Sequence, residues 1–317
     1  MSRIHCTVLV LAVPTFAFAS LVTAALGQDQ LVHGSPAPLA VQSSLPKLQN
    51  WMSPDVGAAW SLGYKGQGTT ITTVDDFSSN SGYYGNFGLG TQLLRHGQWT
   101  SEESSLLAPS ARVVSKDFST GTAVSLAPGL NILNLSYGMY AKAGYSPSQI
   151  GWSREESSII SYAVNGNAVI AKAAGNDSVV VGGATSAGQL DYLDSALIGA
   201  KSAIFVGALN TNGTVLNQAS LASYSNRAGT NQNVQSHFLV VGVDGAKTGL
   251  YGTSFAAPVI AGYSAILGSK FTTATATQIT SQLLSTARHD TLVNYNAATY
   301  GQGEASLTRA LAPMSIH

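Results

Sequence analysis

The chain of 317 residues contains a single cysteine, Cys6, which lies in its N-terminal segment. If that segment is removed, no thiol remains, which excludes disulfides, thiolate metal sites and a cysteine nucleophile. Charged residues are also scarce, at 9% of the chain against about 25% in an average protein, and the net charge is zero. The sequence therefore has neither a basic field for nucleic acid nor an acidic tail. What it does have is a 45% apolar fraction, enough for a core that holds the fold without disulfides.

The first 27 residues have the pattern of a secretory signal peptide. Arg3 precedes an apolar run from Thr7 to Gly27, and small residues crowd the end of that run. Cleavage is expected after Ala19 or near Gly27. An uncleaved membrane anchor is the alternative, because the run is about long enough to span a bilayer, but Pro14 interrupts it. We expect a secreted or periplasmic protein with no membrane segment in its mature form.

The rest of the chain divides into a short arm and one domain. Residues 28–46 lack periodicity and are predicted to be an N-terminal arm or linker. From residue 47 to residue 313, β-branched runs alternate with helical patterns, which predicts a single α/β domain with a mostly parallel sheet and helices on both faces. The predicted strands cover residues 69–75, 111–116, 131–136, 168–174, 203–208 and 237–243, and the predicted helices cover residues 154–165, 254–267 and 276–287.

Polar residues stand at the ends of several predicted strands, where ligands bind in sheets of this kind. Asp75 ends the first strand, Asn176 follows the strand 168–174, and Ser254 begins a predicted helix. His96 lies in a short RHGQ stretch after the first strand. An acid, a histidine and a serine in this order indicate acyl transfer, because the imidazole can take the serine proton while the carboxylate orients the imidazole. The first amides of a helix have no intrahelical partner and can donate to an oxyanion.

Several segments carry a family resemblance. GTSFAAP at residues 252–258 resembles the nucleophile motif of subtilisin-like serine proteases, and AVIAKAAGND at 168–177 resembles the strand with their oxyanion asparagine. Three further segments are similar to strands of that family. The strand near the catalytic acid is similar to YKGQGTTITTVDD, the strand after the histidine to LLAPSARVVSKDF, and the strand at the substrate cleft to NILNLSYG. The similarity extends from residue 50 to residue 313. It implies a subtilisin-like fold and a secreted serine endopeptidase.

The resemblance also implies roles for individual residues. Ser254 would be the nucleophile, His96 the general base and then acid, and Asp75 the orienting carboxylate. Asn176 would donate its side-chain amide to the oxyanion, beside the backbone N–H of Ser254.

A peptide-binding cleft is implied in the same way. The residues that would pair with an extended peptide are Ser136, Tyr137 and Gly138. The pocket for the side chain before the scissile bond would be lined by Ala173, Ala174 and Gly175. We expect protein or peptide substrates, no nucleic-acid or membrane partner, and a monomer. The chemistry requires no cofactor, no metal ligands are assigned, and structural calcium stays open.

Two motifs depart from the family pattern. The acid motif, usually D-[ST]-G, reads Asp75-Asp76-Phe77. Alternation along a strand sends neighbouring carboxylates to opposite faces, which favours Asp75 alone. The histidine motif, usually H-G-T-H-V, reads HGQWT from His96, so the support of the histidine is not predicted.

Simpler interpretations stand beside these roles. Ser254 has the residue type of a helix N-cap, and Asn176 that of a left-handed turn. His96 and Asp75 are compatible with an ordinary turn and strand end, and His237 is the rival base.

The sequence also allows other functions for the whole protein. The eroded flanks of the acid and the histidine favour, as an alternative, a catalytically impaired relative that binds extended peptides or proteins. An esterase or lipase of the α/β-hydrolase fold requires G-x-S-x-G, but Ala256 stands at the second glycine position. A structural or adhesive surface protein is the remaining alternative.

Overall fold

Two stretches of the chain, residues 6–10 and 46–316, are described by the computed structural model. Residues 1–5, 11–45 and 317 lie outside them. The predicted signal peptide is therefore described only at residues 6–10, and the predicted arm only at residue 46.

Within these two stretches the chain forms eleven strands, ten α-helices and three 3₁₀ turns. The strands are β1 Thr7–Val10, β2 Thr69–Asp75, β3 Tyr83–Gly85, β4 Gln92–Leu94, β5 Arg112–Asp117, β6 Leu130–Leu135, β7 Tyr137–Lys142, β8 Val169–Ala173, β9 Gln189–Asp191, β10 Ala203–Leu209 and β11 Phe238–Gly242. The helices are α1 Pro54–Ser61, α2 His96–Leu107, α3 Arg154–Asn165, α4 Tyr192–Leu197, α5 Gln232–Gln235, α6 Gly245–Thr248, α7 Ala257–Lys270, α8 Ala276–Ser285, α9 Ala297–Tyr300 and α10 Leu307–Leu311. The 3₁₀ turns cover Phe118–Thr120, Pro147–Gln149 and Thr253–Phe255.

Six strands form one parallel sheet in the order β11-β10-β8-β6-β2-β5. They are the six strands predicted from the sequence, and their ends differ from the prediction by no more than one residue. The strand order reverses at β2, which has β5 on one side and β6 on the other. At such a switch point the connections leave in opposite directions and open a crevice at the carboxyl ends of the strands. Asp75, the last residue of β2, lies at this crevice.

Helices cover both faces of the sheet, as predicted. Alternate side chains along each strand point to opposite faces, and each face packs against its own helices in a separate core. Ile71 and Val206 belong to the core under α2 and α7. Val74 and Phe205 belong to the core under α3 and α4. Asp75 is four positions after Ile71, so alternation directs its side chain toward the face that carries α2 and α7.

The helix predicted to begin at Ser254 begins later. Ser254 lies in the 3₁₀ turn, and α7 starts at Ala257, so the prediction that this serine opens the α-helix is wrong. Pro258 is the second residue of α7, where a missing N–H removes no helical hydrogen bond. Every residue of α7 except Lys270 is buried, which holds the helix and the turn before it in place.

Two smaller sheets flank the main one. The strands β3 and β4 form a hairpin, and β7 pairs antiparallel with β9 on one side and with β1 on the other. These short strands were not predicted from the sequence. The strand β1 comes from the segment predicted to be a signal peptide. Across the two described stretches, no helix has both the length and the apolar character needed to cross a bilayer.

Candidate active site

The carboxylate of Asp75 and the imidazole of His96 are in direct contact. His96 Nδ1 lies 2.6 Å from Asp75 Oδ1, and both side chains are fully buried. Asp75 also accepts hydrogen bonds from the backbone N–H of Asp76 at 2.7 Å and from the hydroxyl of Thr100 at 2.8 Å. When Nδ1 donates to the carboxylate, Nε2 is the unprotonated nitrogen and can accept a proton. The pair is therefore oriented for general-base chemistry at Nε2.

The helix α2 supports the histidine. His96 is its first residue, and Thr100 stands one turn later on the same face. The backbone N–H of Gly97 donates to the carbonyl oxygen of Asp76 at 2.9 Å. A Cβ at position 97 would lie 2.8 Å from that same oxygen, so this close approach needs glycine. The altered HGQWT motif thus still forms the helix, with Thr100 contacting the carboxylate.

The neighbouring acid, Asp76, has a different role. Its Oδ1 accepts hydrogen bonds from the backbone N–H groups of Ser78 and Ser79, at 3.2 and 2.8 Å. Its Oδ2 accepts from the hydroxyl of Ser79. Asp76 therefore closes the turn after β2, as short acidic side chains commonly do.

The turn that carries Ser254 depends on a glycine. Gly252 has φ 128° and ψ 154°, a conformation that residues with a Cβ rarely adopt. The next residue, Thr253, donates from its backbone N–H and its hydroxyl to Asn176 Oδ1, at 2.9 and 3.0 Å. The hydroxyl of Ser136 donates to the carbonyl oxygen of Ser254 at 2.9 Å. These bonds attach the serine turn to the loops that follow β6 and β8.

The amide of Asn176 is oriented by the same contacts. Because its Oδ1 accepts from Thr253, its Nδ2 group is turned away from that residue. The backbone N–H of Gly175 also donates to the hydroxyl of Thr253, at 3.1 Å. The oxyanion asparagine implied by the resemblance therefore lies directly beside the serine turn.

Two aromatic rings lie close to the imidazole. The ring of Phe255 has its centroid 5.7 Å from that of His96, and the ring of Tyr83 lies at the same centroid distance in an edge-on orientation. Phe255 directly follows Ser254, so this contact brings the serine turn next to the imidazole.

The hydrogen bond between the serine and the imidazole is not formed. Ser254 Oγ and His96 Nε2 are both buried, and neither has a hydrogen-bond partner in the described part of the chain. Catalytic hydrogen bonds are often long in enzymes without substrate and tighten when substrate binds. The structure thus brings the three side chains into one region, with the last link open.

The residues implied for peptide pairing lie where β6 gives way to β7. Ser136 joins the two strands, and Tyr137 and Gly138 begin β7. The strand β1 pairs with this part of β7, with Leu9 opposite Gly138 and Val10 opposite Tyr137. An extended segment of the chain itself therefore occupies the edge that the resemblance assigns to a peptide.

The residues implied for the pocket close the end of β8. Ala173 and Ala174 are fully buried, and Gly175 has φ 105°. A Cβ at position 175 would lie 2.3 Å from Asn226 Nδ2, which leaves room only for glycine. Asn226 donates to the carbonyl oxygen of Ala174 at 2.8 Å and accepts from the backbone N–H of Asp177 at 3.0 Å. Asn226 thus holds the loop that presents the pocket and the asparagine.

Sequence reasoning missed three supporting residues. Thr100 had a usable signal, since it lies one helical turn after His96 on the same face. Thr253 lies inside the GTSFAAP motif, but the resemblance implied no role for it. Asn226 is distant in the chain from the loop it supports and had no local signal. The rival base His237 directly precedes β11, at the opposite edge of the sheet from the carboxyl ends.

The family model of the subtilases matches residues 101–304, more than half of the chain. The chain belongs to the subtilase family. The matched region contains Asn176 and Ser254 and begins shortly after His96, so neither His96 nor Asp75 lies inside it. The predicted resemblance to subtilisin-like proteases and the predicted α/β fold class are both confirmed.

Solved structures show the same fold. The subtilase chain is 17% identical to the prenylagaramide maturation protease PagA, covering 82% of this chain and 98% of that one, with a TM-score of 0.53. It is 18% identical to MycP1 of the ESX-1 type VII secretion system, covering 86% and 88%, with a TM-score of 0.53. A lanthipeptide protease matches at 16% identity over 80% and 90%, with a TM-score of 0.51. No curated protein matches the chain.

Metal binding has no assigned site in this subtilase. Within residues 6–10 and 46–316, no three His, Cys, Asp or Glu side chains are grouped as metal ligands. Binding of structural calcium stays a prediction, and no residues are assigned to it.

Proposed function

We propose that this subtilase is a serine endopeptidase that uses Ser254, His96 and Asp75. The observation that carries the proposal is the 2.6 Å contact between His96 Nδ1 and Asp75 Oδ1, next to the serine turn. A buried carboxylate at Nδ1 selects the tautomer in which Nε2 accepts a proton and stabilises the imidazolium that results. Both are requirements of a general base for a serine.

In the proposed mechanism, substrate binding brings Ser254 Oγ within hydrogen-bond distance of His96 Nε2. The oxygen attacks the peptide carbonyl carbon while Nε2 takes its proton, and the carbonyl oxygen becomes an oxyanion. Asn176 Nδ2 and the backbone N–H of Ser254 donate to this oxyanion. The imidazolium then protonates the leaving amine, the C–N bond breaks, and an acyl-enzyme remains. Water, deprotonated by Nε2, hydrolyses the acyl-enzyme and regenerates the serine.

The proposed substrates are extended segments of proteins or peptides. The pairing of β1 with β7 supports this, because it shows an apolar stretch of chain lying antiparallel on the strand that begins with Tyr137 and Gly138. One edge cannot hold two strands, so a substrate would displace β1. Removal of residues 1–27, as the proposed signal cleavage entails, would vacate the edge. We propose secretion or periplasmic export because residues 1–27 have the pattern of a signal peptide.

A fluorophosphonate tests the proposal, because it reacts much faster with a serine activated by a neighbouring base than with an ordinary serine. We expect the purified protein to be labelled at Ser254 and to cleave unfolded casein, and Ser254→Ala to lose both properties. Ser264→Ala is the matched control, since Ser264 is a buried serine of α7 that donates to the carbonyl oxygen of Ile260. It should keep both properties. A wild-type protein that is neither labelled nor active on casein would rule out the peptidase.

The second candidate is a catalytically impaired subtilase that binds extended peptides or proteins. It is favoured by the open link between Ser254 Oγ and His96 Nε2. It predicts peptide binding that is insensitive to Ser254→Ala, with no labelling and no turnover. The labelling experiment therefore separates the two candidates.

A further inference from the structure

A fully buried lysine lies behind the proposed cleft. Lys172 stands in the otherwise apolar strand β8, two residues before Ala174. Its ammonium group lies 3.2 Å from Asp191 Oδ2 and 3.0 Å from Asp194 Oδ1, and it donates to the carbonyl oxygen of Ala173 at 2.6 Å. Two of its three N–H donors form hydrogen bonds, to Asp191 and Ala173, and Asp194 adds a close ionic contact.

Asp191 connects this lysine to the strand β7. Its Oδ1 accepts hydrogen bonds from the backbone N–H of Met139 at 2.9 Å and from that of Leu193 at 3.0 Å. Gly138 passes directly over the carboxylate, since a Cβ there would lie 2.5 Å from Asp191 Oδ2. The carboxylate therefore links β7, the start of α4 and the lysine at one point.

The lysine also contacts the other side of the cleft. Ala173, which accepts from its ammonium, belongs to the segment proposed to line the pocket. One side chain thus bridges the strand proposed to pair with the substrate backbone and the segment proposed to receive a substrate side chain.

The charge state of the cluster is set by burial and by its own pairs. Burial opposes the charge on Lys172, but attraction to Asp191 and Asp194 outweighs it and raises the pKa of the lysine. The ammonium therefore keeps its charge at neutral pH, and its hydrogen bonds are charge-assisted and directional.

We propose that Lys172 is a positioning residue that, through Asp191, sets the spacing between β7 and the Ala173–Gly175 segment and so controls the binding of extended peptide substrates. The inference rests on the proposed function, because it assigns the lysine to the same cleft. A lysine that only stabilised the fold would affect all substrates equally. A lysine that positions the cleft would affect the reaction of substrates that lie along β7 more than the reaction of substrates that do not reach it.

The test compares two substrates on one set of variants. The substrates are a peptide anilide long enough to lie along β7 and a single amino-acid ester that does not reach it. All proteins carry Val8→Pro and Leu9→Pro, because proline disrupts strand pairing and prevents competition by β1.

Three variants remove the positive charge or its partner to different extents. Lys172→Met leaves two buried carboxylates without a cation, which is strongly destabilising. Lys172→Met/Asp191→Asn/Asp194→Asn removes all the charges while keeping an acceptor for the Met139 N–H. Asp191→Asn alone is the mildest change. We expect the triple variant to lower kcat/KM for the anilide by about 10- to 100-fold, mainly through KM, and to change the ester reaction by less than about threefold.

The control is Lys116→Met/Glu155→Gln. It removes another lysine–carboxylate pair, 3.1 Å apart, formed by the partly buried Lys116 of β5 and the buried Glu155 of α3. Both substrates should then react within about threefold of the parent, since the hydrogen bonds of Lys116 go to Thr120 and Thr122 and not to β7 or to the Ala173–Gly175 segment.

The outcomes separate this inference from the proposed function. If the triple variant and Asp191→Asn lower both reactions in parallel, or neither, the positioning role is overturned. If the wild type is not labelled by a fluorophosphonate, the peptidase proposal fails. The positioning role of Lys172 can then be tested without turnover, by measuring the affinity of the protein for a fluorescent form of the same peptide. That affinity should fall by about the same 10- to 100-fold in the triple variant, and an unchanged affinity would overturn the inference.

Discussion

The two halves of the candidate site differ in how their sequence relates to their geometry. The nucleophile half, Thr253, Ser254 and Asn176, lies inside the subtilase match and contains the GTSFAAP and AAGN motifs. The acid–base half, Asp75 and His96, lies outside the match and has altered motifs. Yet the acid–base half has its 2.6 Å contact in place, whereas the Ser254 hydroxyl has no hydrogen-bond partner in residues 6–10 and 46–316.

The comparison teaches that a familiar motif and a completed contact are separate properties. A motif shows which residue types neighbour a functional residue in the sequence. A contact depends on where packing places the group. Burial of β2, and the close approach of Gly97 to the backbone of Asp76, bring His96 against Asp75 despite the altered flanks.

The largest effect is expected from the acid–base half. His96→Ala removes the group that takes the serine proton, and in triads of this kind such a loss lowers kcat by roughly 10⁶-fold. Steady-state cleavage of a peptide anilide measures it. His237→Ala is the control, because that histidine precedes β11 at the opposite edge of the sheet. A loss of less than about 100-fold in His96→Ala would mean that this half is not catalytic.

Asp75→Asn tests the carboxylate behind the imidazole. The amide keeps the size of the side chain but selects the wrong tautomer, and we expect kcat to fall by about 10⁴-fold. Asp76→Asn is the matched neighbour, since its carboxylate accepts from Ser78 and Ser79 in a turn. That variant should lose less than about tenfold, the worth of a single turn hydrogen bond. Equal losses in the two variants would show that the carboxylates act together.

Asn176→Ala tests the nucleophile half. Loss of one oxyanion donor typically lowers kcat by about 10²–10³-fold. Thr253→Val removes the hydroxyl that donates to Asn176 Oδ1 while the backbone bond remains, so a smaller loss of about tenfold is expected. If Asn176→Ala raises KM and leaves kcat unchanged, the asparagine binds substrate and does not stabilise the oxyanion.

The smallest effect concerns stability near the acid–base half. Glu155 pairs with Lys116, which lies opposite Val74 in the β5–β2 register. Burial raises the pKa of Glu155 from 4.5 to about 7, although Lys116 acts in the other direction. Because the folded pKa is the higher one, its contribution to stability is complete below pH 4.5 and is lost as the pH rises to about 7. Chemical denaturation at pH 5 and pH 8 should show a lower free energy of unfolding at pH 8, and Glu155→Gln should reduce the difference.

The control for this prediction is Asp290→Asn. The hydrogen bond from Arg288 lowers the pKa of Asp290 below 3.8, so its contribution is lost only as the pH falls through still more acidic values. The difference between pH 5 and pH 8 should therefore be the same as in the wild type. An unchanged difference in Glu155→Gln would show that Glu155 does not titrate in this range.

Much of the framework was predictable because it is local. The strands of the main sheet follow from β-branched runs and their alternation, and the choice of Asp75 over Asp76 follows from the same period of two. The support of His96 was not predictable from the family motif, because Thr100 replaces the expected residue pattern. The pairing of β1 with β7 joins segments more than a hundred residues apart, and no local pattern marks it.

The sequence by itself determined which groups are available, their order along the chain, and the strand ends at which they stand. Hydrophobic periodicity and the glycines of tight turns are sufficient for that, since they act over a few residues. Only the tertiary structure decided that Asp75 meets His96, that Asn176 holds the turn of Ser254, and that Lys172 lies behind the cleft. Those contacts require close packing between distant segments, and packing depends on the shape of the whole core.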